Sequence, residues 1–460
     1  MKRVLVAATF LLGGCVYLNT LYNARTLYRE GERARLAGQS QAAREAYQAA
    51  LEKAAEAFRR DSLGDWAHPS LLLVGQAHLR LGSLTESRAA LQRVMDETRD
   101  PSVWLEAQLY LGATLAASGE YSRAMDVLSD ALRDLDRSRL RGEGHMWRAR
   151  VLLAQGYVDQ GWWDLERAVE EDRRLEVPAQ LERVVWALAG DDRRRAEQGA
   201  RALLDDPDAA IWSDSLSALV ESAARRWSPA DAAALLAPAR TAPWAPAPRD
   251  ALRLQRVRLL LAAGETLAAE TELGWVAQGT GPGSVPARME LAAVRLGQVD
   301  EPEQLDRVRR VLLPAATDSL VVPELERLRM VELLTDPASG SFPATFAAAE
   351  VARDELNAPR LSRTLFTRAA QDSAGGSWRG KAALAALAVG PDSRELESLR
   401  LTLLRNRDPY LARARNRYLP TDTIIRLDAA LQQQLDSVRG WAMDEARRRD
   451  VLIRSRAGRN

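Results

Sequence analysis

The sequence predicts an all-α fold: a right-handed superhelical solenoid of antiparallel helix pairs, regular in its first half and degenerate in its second. Ala and Leu dominate, Asn is scarce and β-branched runs are few, which is the composition of helices. Glycines recur at matched positions in three successive stretches, the mark of one supersecondary unit repeated. No run of alternating apolar and polar residues reads as a strand. At 460 residues the chain has ample apolar surface to bury, and a repeat array needs no division into domains of ordinary size.

The chain opens with Lys2 and Arg3, an apolar run from Val4 to Leu12, and then Gly13-Gly14-Cys15. Basic, apolar and small residues in that order make a secretory signal. The apolar run is nine residues, whereas a membrane-spanning helix needs roughly 20. Leu12-Gly13-Gly14-Cys15 resembles a bacterial lipobox, which implies that the Cys15 thiol takes a diacyl lipid and that Cys15 becomes the mature N-terminus. Residues 1–14 are then the signal peptide and 15–22 a lipidated tether. Two other readings stay open: an ordinary cysteine in a signal peptide cut elsewhere, and an uncleaved anchor. Val16 stands where an inner-membrane retention signal places Asp, so the resemblance implies a lipid anchor in the outer membrane with the chain facing the periplasm. Cys15 is the only cysteine, so packing alone must hold the rest together.

Three stretches align by their glycines. They hold Leu27, Gly31, Ala34, Gly38, Ala43, Tyr47 and Ala50; then Leu71, Gly75, His78, Gly82, Ser87, Leu91 and Val94; then Gln108, Gly112, Leu115, Gly119, Ala124, Leu128 and Ala131. The offsets are the same in each: four, three, four, five, four and three residues. This pattern resembles the tetratricopeptide repeat (TPR). The first glycine marks where two helices of a hairpin press together. The second ends the first helix, where a left-handed residue is wanted. The small residue opening the second helix completes the close contact, and Tyr47, Leu91 and Leu128 fill the space between hairpins.

A fourth unit keeps the spacing with Ala149, Leu152, Gly156, Gly161, Leu165 and Ala168. Trp186, Gly190, Ala196 and Ala200 make a fifth hairpin with one residue of slippage, and 211–237 reads as two short helices with Ser228-Pro229 opening the second. These hairpins form a TPR solenoid over 23–237. Pro238, Pro243, Pro246 and Pro248 mark a non-helical boundary near 238–249. Leu254, Val257, Leu260, Gly264, Ala269, Leu273 and Val276 then recover the spacing without the first glycine. They open a degenerate helical-repeat region over 250–371, with helices expected at 287–297, 303–313, 322–335, 344–356 and 359–371. A C-terminal helical region over 377–445 follows. It has helices at 378–389 and 393–405 and a last long one from Thr421-Asp422 that buries Ile424, Leu427, Leu431, Leu435, Val438 and Trp441. Residues 446–460 form a basic tail with Arg447, Arg448, Arg449, Arg454, Arg456 and Arg459. The tail reads as a solvated terminus or as a contact for anionic lipid or an acidic partner.

The inventory for chemistry is thin. Basic and acidic residues nearly cancel, 64 against 63, so no overall field points to nucleic acid. His68, His78 and His145 are the only histidines, and none makes an i, i+4 pair, so no metal site is expected. Gly279-Thr280-Gly281-Pro282-Gly283 reads as a turn, because Pro282 removes an amide donor. Glu170-Glu171 and Asp205-Asp206 read as solvated helix ends. The expectation is a protein with no catalytic residues and no cofactor. Twelve tryptophans stand beside only five Phe. Trp104, Trp147, Trp186, Trp275 and Trp441 read as packing residues. Trp162 and Trp163 are adjacent on one helix and point about 100° apart, so one of them is a candidate exposed anchor.

The TPR resemblance implies that partners dock on a concave face lined by the first helices. The candidate groove is Tyr28, Glu32 and Arg35; Leu72, Gln76 and Leu79; Leu109 and Ala113 with Ala116; and Met146 and Arg150 with Leu153. Its apolar character with charges at the rim suits an amphipathic peptide. A tightly wound superhelix would instead bury the same residues under a neighbouring turn. In organisation the chain resembles outer-membrane assembly lipoproteins of the BamD type, and lipoproteins of secretin assembly or peptidoglycan-enzyme recruitment. That implies a scaffold for envelope proteins. The alternative is a glycan-binding lipoprotein of the SusD type beside an outer-membrane transporter.

Overall fold

The computed structural model describes residues 20–336, 338, 340–390, 397–398, 400–402, 408–414 and 421–457. Cys15 and Arg459 lie outside the described residues, as do the side chains of Arg454 and Arg456 and most of the helix expected at 393–405. The described residues are helices joined by short turns, an all-α solenoid of antiparallel pairs, and they divide into two units at Leu252/Arg253. No described helix is long and apolar enough to cross a membrane.

The first unit is built from hairpins. Helix α1 (20–36) is followed by α2 (Ser40–Arg60), α3 (Ala67–Leu81), α4 (Leu84–Glu97), α5 (Pro101–Ala117), α6 (Tyr121–Asp134), α7 (Ser138–Ala154) and α8 (Val158–Glu171). Residues 20–22, the end of the tether expected over 15–22, are helical and belong to α1. The seam of each pair is as close as the spacing implies. A Cβ at Gly31 would stand 2.6 Å from the Tyr47 ring, at Gly75 2.6 Å from Leu91 Cγ and at Gly112 2.7 Å from Leu128 Cγ. No side chain fits there without pushing the helices apart. Gly82 turns the chain between α3 and α4 at φ +83°, and Gly38, Gly119 and Gly156 are left-handed in the same way. Ser87 replaces Ala at the start of α4 at no cost in satisfaction, because its hydroxyl donates to the Gly75 carbonyl at 2.8 Å.

Helices α9 (Glu176–Ala189) and α10 (Arg193–Asp205) form the slipped hairpin. Its left-handed residue is Asp191, φ +60°, whereas Gly190 stays right-handed. Counted from Asp191, Ala196 and Ala200 regain the repeat register and both are fully buried. Two short helices follow, α11 (Ser213–Arg226) and α12 (Pro229–Leu235), the second capped by the Ser228 hydroxyl accepting from Asp231 N–H. The expected non-helical stretch to residue 249 is shorter than the prolines suggest. Helix α13 (Pro246–Ala262) starts at Pro246, and Pro248 also falls in its first turn, where an amide proton has no intrahelical partner to lose. Leu252/Arg253 lies within α13.

In the second unit α14 (Thr266–Gln278) pairs against the end of α13 through the left-handed Gly264, with Val257, Ala269 and Leu273 fully buried. Then come α15 (Ser284–Leu296), α16 (Leu305–Leu312), α17 (Val321–Thr335), α18 (Phe342–Asp354), α19 (Pro359–Gln371) and α20 (Arg379–Val389), followed by the short α21 (Pro409–Ala414) and the long α22 (Thr421–Ala457). One core runs from Ala292 to Ala446, through both the 250–371 and the 377–445 spans. Phe346 meets Phe366 edge-on at 5.1 Å at its centre. Helix α22 packs on α17 and α18, with Leu431, Leu435, Ala442 and Ala446 in the shared core. Trp441, expected on that stripe, is 49% exposed; the buried line turns onto the smaller Ala442 beside it.

Two substitutions separate the packing and turn roles of the glycines. Gly112→Leu is expected to cost about 1–3 kcal/mol or more by overpacking against Leu128. Gly82→Ala, with open space around it, should cost about 1–2 kcal/mol through its left-handed backbone alone. Denaturant unfolding checks both, and a Gly112→Leu midpoint equal to wild type would show that the seam is not closed at this position.

Candidate functional site

Helices α1, α3, α5 and α7 present their inner sides to one another, and the first turn of the solenoid closes on itself. Leu36 at the end of α1 joins the cluster of Met146, Ala149 and Leu153 on α7. A Cβ on Gly38 would stand 3.2 Å from the carbonyl of Ile211, which lies five hairpins further along the chain. The space between the first helices is therefore largely filled.

A buried ion cluster holds this closure. Arg80 on α3, its side chain only 7% exposed, donates Nε to Glu32 on α1 at 2.7 Å and Nη2 to Glu143 on α7 at 2.8 Å. Arg35 donates to Glu32 at 2.8 Å and lies 3.6 Å from Glu143. The Tyr47 hydroxyl donates to Glu32 at 2.7 Å, and the Trp147 indole donates to Glu143 at 2.9 Å. Burial alone would raise the Glu32 carboxyl, but the Arg80 and Arg35 guanidiniums outweigh it and hold Glu32 well below the usual carboxylate range. Glu143 is lowered by the same balance, burial opposing Arg80 and Arg35. Burial pushes the Tyr28 phenol far above its usual range, so it stays a neutral hydroxyl.

In front of this cluster lies a pocket of about 430 Å³, lined from α1, α3, α5 and α7 and by Asp172 and Leu175 beyond α8. Five of the expected groove residues line it: Tyr28, Glu32, Arg35, Leu72 and Gln76. Gln76 donates to Glu106 at 2.8 Å, and Glu106 also lies 3.6 Å from Arg137. The rest of the expected groove is corrected. Leu79, Leu109, Ala113 and Met146 are buried in the packed interior, as are Ala116 and Leu153. The winding sets neighbouring helices against them, so they offer no open face to a partner. Arg150 lies over the Trp147 ring at 4.4 Å and is tied to Glu182.

The two adjacent tryptophans of α8 have different surroundings. Trp162 is packed beneath Arg183 and Arg195, which stand 5.2 and 5.3 Å from its ring centre. Trp163 is 54% exposed on the outer side of α8, with Arg167 over its ring and His145 edge-on at 6.2 Å. Trp104 and Trp275, expected as packing residues, are 36% and 54% exposed.

Sequence reasoning missed the ionic seams. Asp164, fully buried, accepts two hydrogen bonds at 2.7 Å from Arg148 and one at 2.8 Å from His145 Nδ1. Glu272 is held in the same manner by Arg253 and Arg256. In repeat register Asp164 and Glu272 are one position, and Arg148 and Arg256 another, sixteen residues apart in each hairpin. The second and third hairpins carry Val74 with Ala90 and Leu111 with Val127 there. Complementary charge at that separation was the available signal. His78, with its burial-lowered pKa, has an Nδ1 without a hydrogen-bond partner among the described residues, and His68 stands 3.8 Å from Glu97. Among the described residues no cluster of His, Cys, Asp or Glu is arranged to hold a metal ion.

No protein-family model and no curated protein sequence matches the chain. Solved structures similar to it include a tetratricopeptide repeat protein from Parabacteroides merdae, at 15% identity over 59% of this chain and 98% of that one, with a TM-score of 0.29. The APC/C hetero-tetramer Cut9–Hcn1 covers 95% of this chain and 99% of its own at 12% identity and a TM-score of 0.25. Yeast Tom70 covers 86% and 99% at 13% identity and a TM-score of 0.21. At these scores the assignment of a TPR-type solenoid rests on the seams and turns of the chain itself.

Breaking the ion cluster tests what closes the turn. Arg80→Met leaves two carboxylates buried and is expected to cost about 3–5 kcal/mol in denaturant unfolding. The pH dependence has a fixed sign. Glu32 and Glu143 are depressed in the folded chain, so their contribution is complete above the unfolded carboxyl range, near pH 4.3, and is lost as pH falls further toward the folded values. Wild type should lose stability steeply below about pH 4.5, and a Glu32→Gln/Glu143→Gln variant should show a shallower acid limb over the same window.

Proposed function

We propose that the chain is a membrane-anchored, periplasm-facing TPR lipoprotein that acts as a protein–protein interaction scaffold in cell-envelope assembly. The observation that carries the scaffold reading is Trp163: a large aromatic ring half in solvent, braced by Arg167 and His145 on a helix locked by the adjacent Asp164 ion cluster. A rigid, partly desolvated tryptophan presents apolar area to a partner with little conformational entropy to lose. Tyr157, 55% exposed, lies at the start of the same helix. The inner face is largely occupied by its own side chains, so the docking surface of this reading is the outer side of α8. The lipid anchor rests on the order Lys2-Arg3, Val4 to Leu12, Gly13-Gly14-Cys15.

The two parts of the proposal are tested separately. Cys15→Ser should abolish radiolabelled palmitate incorporation in a bacterial host and release the chain from membranes; a variant that stays uncleaved and membrane-bound would make the segment an anchor helix instead. Trp163→Ala should fold as wild type and lower the yield of a co-purified envelope partner by about tenfold or more, the loss expected for a central aromatic contact. Undiminished recovery with the Trp163→Ala chain would move the interface elsewhere.

A further inference from the structure

We propose that the inner pocket of the first unit is a binding site for a small organic anion with an apolar body, independent of any protein partner. The pocket holds about 430 Å³, within the roughly 300–1,000 Å³ of small-molecule sites. Its carboxylates are already neutralised from within: Glu32 and Glu143 by Arg80 and Arg35, Glu106 by Arg137, and Asp172 by Arg174. The charge left over is positive. Arg25, Arg29 and Arg139 line the pocket in addition to the arginines that pair those carboxylates at contact distance; Arg25 feels Glu106 and Arg139 feels Asp172 only at longer range. Arg139 stands in the first turn of α7, whose N-cap residue Arg137 supplies no capping side chain, so first-turn amides there add to the positive potential.

A second observation concerns the wall of the same pocket. Tyr28 is 8% exposed and lines the pocket, yet its buried hydroxyl has no hydrogen-bond partner among the described residues. Buried hydroxyls are almost always satisfied, and an acceptor oxygen on a bound anion is the partner this one fits. The leucines Leu36, Leu72, Leu73 and Leu140 share the lining and favour an organic anion over a bare inorganic one. Guanidinium groups at the mouth suit a carboxylate, sulfonate or phosphate head equally, so the shared chemistry is an oxyanion on an apolar body.

The test is a fluorescence titration of the full chain with 1-anilinonaphthalene-8-sulfonate, competed by octanoate, octanol and sulfate. The expected result is saturable binding at a single site that octanoate displaces and octanol does not, with sulfate a weak competitor. Arg29→Ala/Arg139→Ala should weaken binding by about tenfold while melting as wild type, since both side chains are exposed. Tyr28→Phe removes only the hydroxyl and should weaken binding several-fold. Absence of saturable binding, equal displacement by octanol, or undiminished affinity in the double variant overturns the proposal. Should the double variant melt early, Tyr28→Phe decides the matter, and unchanged affinity there overturns it.

Discussion

Arg80 is the residue on which the first unit turns. One guanidinium joins Glu32, 48 positions before it, to Glu143, 63 positions after it, and thereby fixes the first hairpin against the fourth. A charge buried this deeply is tolerable only with its donors occupied, and its neighbours are arranged to occupy them. Gly31 leaves room for the Tyr47 ring, and that ring places a hydroxyl on Glu32. Trp147 does the same for Glu143 from one turn away on α7. Leucines of similar volume could fill this space with comparable stability. The ion cluster adds a register, because only one approach of α1 to α7 satisfies all of its members.

The seams between helices within each hairpin obey a more local rule. Small residues opposite large ones, with a left-handed turn between, set the distance of approach, and this is common to all of the regular hairpins. Above that rule the chain varies the chemistry. The position held by Ala90 in one hairpin is Asp164 in another and Glu272 in a third, and each acid comes with its arginine on the facing helix. An apolar pair and an ionic pair thus occupy equivalent places in the same scaffold. The ionic versions carry the greater penalty for losing one partner, which makes those hairpins less tolerant of single substitutions.

This difference in range explains what the sequence revealed. The glycine spacing, the hairpin order and the turn conformations depend on residues within about one hairpin of each other, so they could be read directly. Even the slipped fifth hairpin was legible, although the left-handed role passed from Gly190 to Asp191. The groove was not, because whether Leu109 or Met146 faces solvent depends on how far each hairpin rotates against the next. That rotation is fixed by contacts such as Arg80 to Glu143 and Gly38 to Ile211, which no periodicity encodes. Trp441 failed for a smaller reason. It lies one position from Ala442, and a helix packed closely on two others buries the smaller side chain of such a pair.

Closure also divides the labour of the surface. A TPR solenoid with an open inner face can hold an extended segment along several repeats, but here leucines and a satisfied ion cluster already occupy that face, and only a pocket of molecular size remains. Exposed aromatic area lies instead on the outer helices, where Trp163 stands on a helix held by its own buried ion pairs. The two surfaces share that scaffold: Asp164 fixes α8 against α7, and α7 contributes Glu143 to the closure and Arg139 to the pocket mouth. Any ligand that shifts α7 would therefore act on the support of Trp163 through one hairpin, with no need for a longer path of coupling.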